Sequence, residues 1–324
     1  MPFPASAKSK MNTPIISNFL IVAEQVSVVF LIVLLGFAGG KTGLFGDKAS
    51  DGMANIAVYY VTPALIIMAF QRKFEISLVQ GFLVTMAGNF LAFVFCVAVS
   101  HAAMRGADRG RTSVLRAAAI FGNIGMMSLP LQQALFGADG VFYCAASMAV
   151  FNLTFWTYCA ITMGKKGEGR ALLRRAVLNP GLLGTVVGLV LFFTSVTIPR
   201  VPAAAMNNLA GLNMPMCMLV IGQRLSKIPL NTLFSDKGIW GAAALRLVMM
   251  PLLMAAALRA LKISGAVAVC LVISTAAPAA ASVNMLAITY KQDVDLAAKT
   301  VSMHTLLAML TMPVIIAVVY GWFV

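Results

Sequence analysis

The sequence predicts an all-α integral membrane protein whose ten transmembrane helices form two inverted five-helix repeats, with helices 4 and 9 broken and crossing. Three observations predict this class: composition, the spacing of apolar spans, and two matching interruptions. Of the 324 residues, 60% are hydrophobic and only 10% are charged, and the mean hydropathy is +0.92. Soluble domains carry about 25% charged residues. The composition therefore excludes a large water-facing domain.

A helix needs roughly 20 apolar residues to cross a bilayer. By that length the chain contains ten spans, at 19–40, 50–70, 77–101, 112–134, 139–163, 178–198, 203–224, 236–261, 264–290 and 296–323. The longest charged connection, Lys165 to Arg175, leaves five spans on either side. Because a half with an odd number of spans ends on the opposite side of the membrane, the second half must run inverted.

This division predicts four segments. They are a polar N-terminal tail (1–18), a first five-helix repeat (19–163), a basic loop (164–177) and a second, inverted repeat (178–324). The tail lacks a short apolar core followed by a cleavage pattern, so no removable signal peptide is expected.

The net charge of +14 is distributed unevenly. Sixteen Lys and Arg residues fall on connections of one side and seven on the other. Cytoplasmic loops of membrane proteins carry the excess of Lys and Arg, so the 164–177 loop is predicted to be cytoplasmic and both termini to lie outside. The charge thus indicates topology and contact with anionic lipid headgroups, and no nucleic-acid partner is expected.

Spans two and seven resemble each other. Each begins with a Met-x-Asn sequence, at Met53 and Met206, and each reaches Gln-Arg eight residues after a proline, Pro63 or Pro215. Chance similarity between two Met-rich helices is the alternative. The broken spans, fourth in each half, support the repeat independently.

The fourth span contains Gly122, Gly125 and Pro130, and the ninth contains Pro278. Proline removes a helix hydrogen bond and glycine adopts angles that other residues avoid, so both spans are expected to break. Broken helices at membrane depth need surrounding protein or a watery cavity, and matching breaks in two halves indicate the substrate site of a secondary transporter. Half-helix N-termini favour an anion there. A pair of structural proline kinks is the alternative.

The predicted substrate-binding residues are polar or helix-breaking residues at the two breaks, with one more on span five. They are Asn123, Gly125, Ser128, Pro130, Asn152, Thr275, Pro278, Ser282 and Asn284.

Two further residues are candidates for a charge or coupling role. Arg246 lies inside span eight, where a buried cation is costly and indicates function; snorkelling to the inner interface is the alternative. His304 in span ten could titrate near neutral pH or be a hydrogen-bonded structural residue. Apart from Asp51, Asp139 and Asp236 at the very ends of spans, the only acidic residue in a span is Glu24. Coupling would therefore use backbone carbonyls, a histidine or the proton of the substrate, or else transport is uncoupled.

Other functional classes fit less well. A membrane enzyme would need catalytic clusters, and two histidines without a buried acid pair argue against one. A channel would show charged rings or a carbonyl filter. The five cysteines lie within apolar spans without metal-ligand spacing, so neither a metal nor a cofactor is expected.

With these residues in view, the chain resembles the auxin efflux carrier family in its bacterial branch. The stretch from Phe121 to Leu131, followed by 134–137, is similar to the fourth-helix signature of that family, and Ala277 through Tyr290 resembles its ninth-helix crossover. Smaller similarities lie at Thr62-Pro63-Ala64 and at Asn179-Pro180. The resemblance as a whole covers essentially the entire chain from about residue 19.

The resemblance implies a scaffold of helices 1, 2, 6 and 7, which also forms a homodimer contact, and a moving transport domain of helices 3–5 and 8–10. Substrate would bind at the helix 4/9 crossover, at Asn123, Pro130, Pro278 and Asn284, and an elevator-like displacement would carry it. The implied function is secondary transport of small organic anions, mono- or dicarboxylates, across a membrane that is expected to be the bacterial inner membrane. A sodium-coupled symporter of the bile-acid type and a non-transporting sensor are the alternatives.

Overall fold

The computed structural model describes residues 14–106, 108–162, 174, 177–227 and 233–324. Most of the predicted N-terminal tail and of the 164–177 loop lies outside these residues. Nearly all the described residues are helical and none belongs to a β-strand. The all-α class predicted from the sequence is confirmed.

Eleven helices are numbered here in chain order. They are α1 (Pro14–Thr42), α2 (Asp47–Ala69), α3 (Ile76–Ala103), α4 (Arg109–Ile120), α5 (Leu129–Thr162), α6 (Pro180–Thr194), α7 (Arg200–Ser226), α8 (Lys237–Ala260), α9 (Gly265–Ala276), α10 (Ser282–Thr289) and α11 (Val294–Phe323). Among the described residues six stretches are long and apolar enough to cross a membrane: α2, α3, α5 with the turn before it, α7, α8 and α11. These helices indicate a multi-pass membrane protein.

Several helices begin where a side chain caps free backbone amides. Asp108 caps α4, Asn179 caps α6, Asp236 caps α8 and Asp293 caps α11, each by accepting a hydrogen bond from an amide of the first turn. Inside α5, Gly137 has a φ of +55°, a left-handed conformation that favours glycine. The polypeptide therefore changes direction within α5.

Wider π-helical turns interrupt the regular α-helices at three places. They are Ala57–Val61 in α2, Ile124–Ser128 immediately before α5, and Ala244–Met249 in α8. Such turns occur often at functional sites. The second and third of them lie beside the broken segments described below.

Glycines allow two pairs of helices to pack at backbone contact. A Cβ added to Gly36 of α1 or to Gly222 of α7 would overlap the backbone of the other helix. In the same way, Gly184 of α6 faces the backbone of Pro63 in α2, and Gly188 faces the ring of Phe70, which follows α2. Small residues at spacing of four let membrane helices approach closely. The glycine pair of α6 thus serves packing within one chain.

Two glutamines make equivalent contacts in the two halves. Gln71, after α2, donates to Val196 O (3.3 Å) and accepts from Ile198 N (2.8 Å), in the connection between α6 and α7. Gln223, near the end of α7, donates to Asp47 Oδ1 (2.8 Å), at the connection between α1 and α2. Each glutamine therefore binds the corresponding connection of the opposite half.

Candidate functional site

The two interrupted segments meet inside the protein. After α4 ends at Ile120 and α9 at Ala276, the extended residues pair: Asn123 N donates to Pro278 O (2.6 Å) and Ala280 N donates to Phe121 O (2.9 Å). Gly122 lies opposite Ala279 in this short antiparallel bridge. The chain thus holds the two breaks together by backbone hydrogen bonds at the crossing.

Two helix N-termini start from this bridge. In the turn that opens α5, the amides of Gly125 and Met126 have no hydrogen-bond acceptor among the described residues, and neither do those of Ala281 and Ser282 at the start of α10. Free first-turn amides and the aligned peptide dipoles favour an anionic group. The crossing therefore provides donors for a carboxylate.

A cavity of about 850 Å³ reaches these N-termini. Asn123 and Met126 line it from one break, and Ala281 and Asn284 line it from the other. The Oδ1 atom of Asn284 is buried and has no hydrogen-bond partner within the described part of the chain. This oxygen accepts hydrogen bonds, so a carboxylate in the cavity would have to be bound by the Nδ2 group of the same side chain.

The remaining walls come from α7, α10 and α11, and the cavity mouth carries charges of both signs. Lys227 Nζ lies 3.6 Å from Asp47 Oδ1, and Arg224 Nη2 lies 3.5 Å from Asp51 Oδ1. All four side chains are substantially exposed, and such pairs contribute little stability. They leave the cavity mouth charged and hydrated.

The other predicted site residues lie around the crossing but do not line this cavity. Ser128 is buried and accepts from Gln132 Nε2 (2.8 Å), and Pro130 is buried in α5. Thr275 donates to Val272 O (2.9 Å) and lines a separate small cavity, while Asn152 donates to Met148 O (2.9 Å).

Gly125, Pro278 and Ser282 take part through the backbone. Gly125 and Ser282 belong to the two first turns, and the carbonyl of Pro278 accepts the hydrogen bond from Asn123. The structure thus brings Asn123 and Asn284 to one cavity and places Ser128, Pro130, Thr275 and Asn152 behind it.

A buried polar network behind the crossing was not predicted. Gln132 Nε2 donates to Ser274 Oγ (3.0 Å), which donates to Ser147 Oγ (3.1 Å), and Asn89 Nδ2 also donates to Ser147 Oγ (2.9 Å). The network joins α3, α5 and α9. Its signal in the sequence was the presence of amide side chains in apolar spans, where they bond neighbouring helices.

Arg246 lies at the crossing, in the π turn of α8. It is 5% exposed, and it donates to Ala277 O (2.8 Å), Ile120 O (3.0 Å) and Ser274 O (3.1 Å). Snorkelling to the membrane interface does not fit this burial. Gly122 makes room for the guanidinium, because a Cβ at that position would overlap Arg246 Nη2.

His304 is fully buried in α11. Its Nε2 lies 3.4 Å from Ile239 O, and its Nδ1 has no partner among the described residues. The ring does not line the large cavity. It contacts the start of α8 rather than the two breaks.

One ion pair joins α4 to the residue that caps α8. Arg111 Nη2 lies 2.6 Å from Asp236 Oδ1. Burial acts to raise the pKa of the Asp236 carboxyl, but hydrogen bonds from Arg111 and from the amides of Gly238 and Ile239 outweigh it and hold the pKa below its usual range. This pair lies just before the membrane-spanning part of α8.

A helical, multi-pass membrane protein with two half-helix N-termini at one internal cavity has the features of a membrane transporter. The sequence profile of the family described as "Membrane transport protein" matches residues 21–316, and the chain belongs to this family. The resemblance to auxin efflux carriers is thereby confirmed. Over 301 residues the chain is 25% identical to an uncharacterized transporter of Methanothermobacter thermautotrophicus, covering 90% of this chain and 96% of that protein.

Proposed function

We propose that this protein is a secondary transporter of small organic anions, mono- or dicarboxylates, which it binds at the crossing of the two broken segments. One observation carries the proposal. Asn123, Met126, Ala281 and Asn284, which lie at the starts of the two half-helices, line one cavity of about 850 Å³. Donors and positive helix ends favour an anion over a cation, and no carboxylate is buried among the residues that the structure describes.

The proposed architecture has ten spans in two inverted repeats. In it, α4 with the first part of α5 forms span four, the rest of α5 forms span five, and α9 with α10 forms span nine. The equivalent contacts of Gln71 and Gln223 support the inversion, since each closes the corresponding connection of the other half. The glycine contacts of α1 with α7 and of α6 with α2 have the same relationship.

The position of the cavity supports an elevator movement as the mechanism. The cavity lies between α2 and α7, which would belong to the scaffold with α1 and α6, and α10 and α11 of the transport domain. Its mouth carries Arg224 and Lys227, which the charge distribution assigns to the cytoplasm. The substrate would therefore enter or leave on the inner side in this conformation.

On the opposite side, two sets of contacts join the proposed scaffold to the transport domain. Arg72, after α2, forms an ion pair of 2.5 Å with Asp139 of α5, and Phe70 packs against Phe82 and Phe142 at centroid distances of 6.0 and 4.5 Å. Opening on the outer side requires these contacts to separate. Contacts on the outer side together with the large cavity on the inner side support alternating access.

We place the protein in the bacterial inner membrane with both termini outside, and the exposed face of the scaffold as the contact of a homodimer. Excess Lys and Arg on one side supports the orientation. Crosslinking of introduced cysteines on α1 or α6 would test the dimer, and labelling of terminal cysteines in intact cells would test the orientation.

Uptake into proteoliposomes tests the function. Radiolabelled malonate, succinate and benzoate should accumulate in vesicles that contain the protein. Asn123→Ala and Asn284→Ala should each weaken binding at least about tenfold, since each removes a hydrogen bond to a charged group. Ser302→Ala, which alters the same cavity on α11, is the matched control.

Other results of these experiments would point to a different function or a different site. Binding of a carboxylate without accumulation would identify a sensor. Uptake that requires sodium would identify a symporter of the bile-acid type. Unchanged affinity in both asparagine variants would overturn the proposed site.

A further inference from the structure

The guanidinium of Arg246 is a buried charge without an acidic partner. None of the five ion pairs formed by the described residues involves it. A buried cation that lacks compensation is strongly destabilising. Its three acceptors must therefore supply the opposite charge.

Those acceptors are the C-terminal ends of the two broken helices. Ile120 is the last residue of α4, and Ser274 and Ala277 belong to the last turn and the C-cap of α9. A helix C-terminus is equivalent to about −0.5 of an elementary charge. Two such ends carry about −1, which balances one guanidinium.

Four helix ends meet at the crossing, and without Arg246 their partial charges would cancel. The N-termini that begin at Ile124 and Ser282 carry about +0.5 each, against the two negative ends of α4 and α9. We infer that Arg246 neutralises the negative ends, so that a ligand beside Asn123 and Asn284 meets only the positive ones. Arg246 is then the residue that determines selectivity for charge. The inference rests on the proposed function and deepens it.

The position of the guanidinium fits this role. It packs against Gly122, the residue before Asn123, and it does not line the large cavity. Arg246 therefore acts through the electric field and through the positions of the helix ends, without touching the substrate. It is a positioning residue, and its effect extends to any charge placed at the crossing.

The test places a charge in the cavity and requires no known substrate. Asn284→Asp and Asn284→Lys are made in the wild-type protein and with Arg246→Gln, and thermal unfolding is measured in detergent at neutral pH. With Arg246 present, the Asp variant should unfold at least about 4 °C above the Lys variant. With Arg246→Gln the difference should vanish or reverse, and Arg246→Lys should restore most of it.

The same pair of substitutions at Ser302, on the far wall of the cavity, is the control and should show a smaller difference. If Arg246→Gln does not fold, the inference is still tested by comparing the Asp–Lys difference in unfolding temperature at position 284 with that at position 302. Equal tolerance of Asp and Lys at position 284 would overturn the inference, and so would an unchanged difference with Arg246→Gln. A preference for Asp together with no carboxylate uptake would leave the inference standing and reject the carrier function.

Discussion

Replacing Gly122 by alanine should destabilise the crossing of the two broken segments. A Cβ at this position would overlap Arg246 Nη2 and lie 2.7 Å from Arg246 Cζ, so the guanidinium must leave its three carbonyl acceptors. Hydrogen bonds to a charged group contribute about 1.5–3 kcal/mol each. Allowing for partial recovery by movement of the side chain, we expect a loss of about 4 kcal/mol. For a chain of 324 residues that lowers Tm by about 6 °C.

Thermal unfolding in detergent measures this loss, and Gly241→Ala is its matched control. Gly241 lies in the same helix as Arg246, and a Cβ there would meet nothing within 4 Å. Alanine at that position should raise stability by up to about 1 kcal/mol. In an Arg246→Gln background, Gly122→Ala should lower the free energy of unfolding much less, because the guanidinium that its Cβ would overlap is absent. A Gly122→Ala protein that unfolds at the wild-type temperature would refute the reasoning.

Two further outcomes are expected. Gly222→Ala should lower the free energy of unfolding by about 3 kcal/mol, because its Cβ would overlap Val33 O and force α7 away from α1. Gly211→Ala is the control in the same unfolding assay: its Cβ would meet open space, so the substitution should be neutral or stabilising. Below about pH 4 the protein should lose the stability that the lowered pKa of Asp236 provides at higher pH, since protonation ends its pairing with Arg111. Asp236→Asn should flatten this acid-side loss in unfolding measured against pH, and an unaltered slope would contradict the assignment.

The helical breaks could be predicted because their causes are local. Gly122 and Pro278 lie at the two breaks, and Gly137 separates two helical stretches through its own backbone conformation, although Pro313 lies within the continuous helix α11. The pairing of the breaks by Asn123 N and Pro278 O depends on residues more than 150 positions apart. No local pattern specifies such a contact.

Side-chain partners were predicted less well for the same reason. Asn284 was identified by its place at a break, but Ser128 and Thr275 looked equivalent to it and instead bond within or behind the crossing. Arg246 was recognised as unusual from its position in an apolar span. Its carbonyl acceptors on α4 and α9 emerged only from the assembled helices.

The glycine contacts bear on how the protein is made. Gly36 of α1 finds its partner in Leu219 of α7, and Gly184 of α6 finds its partner in Pro63 of α2. The first half of the chain therefore enters the bilayer with its tightest packing surfaces unfilled, and they stay so until the ribosome has delivered the second half. Contacts this distant in sequence slow folding. We therefore expect the close helix contacts of the first half to form only after the second half has been synthesised.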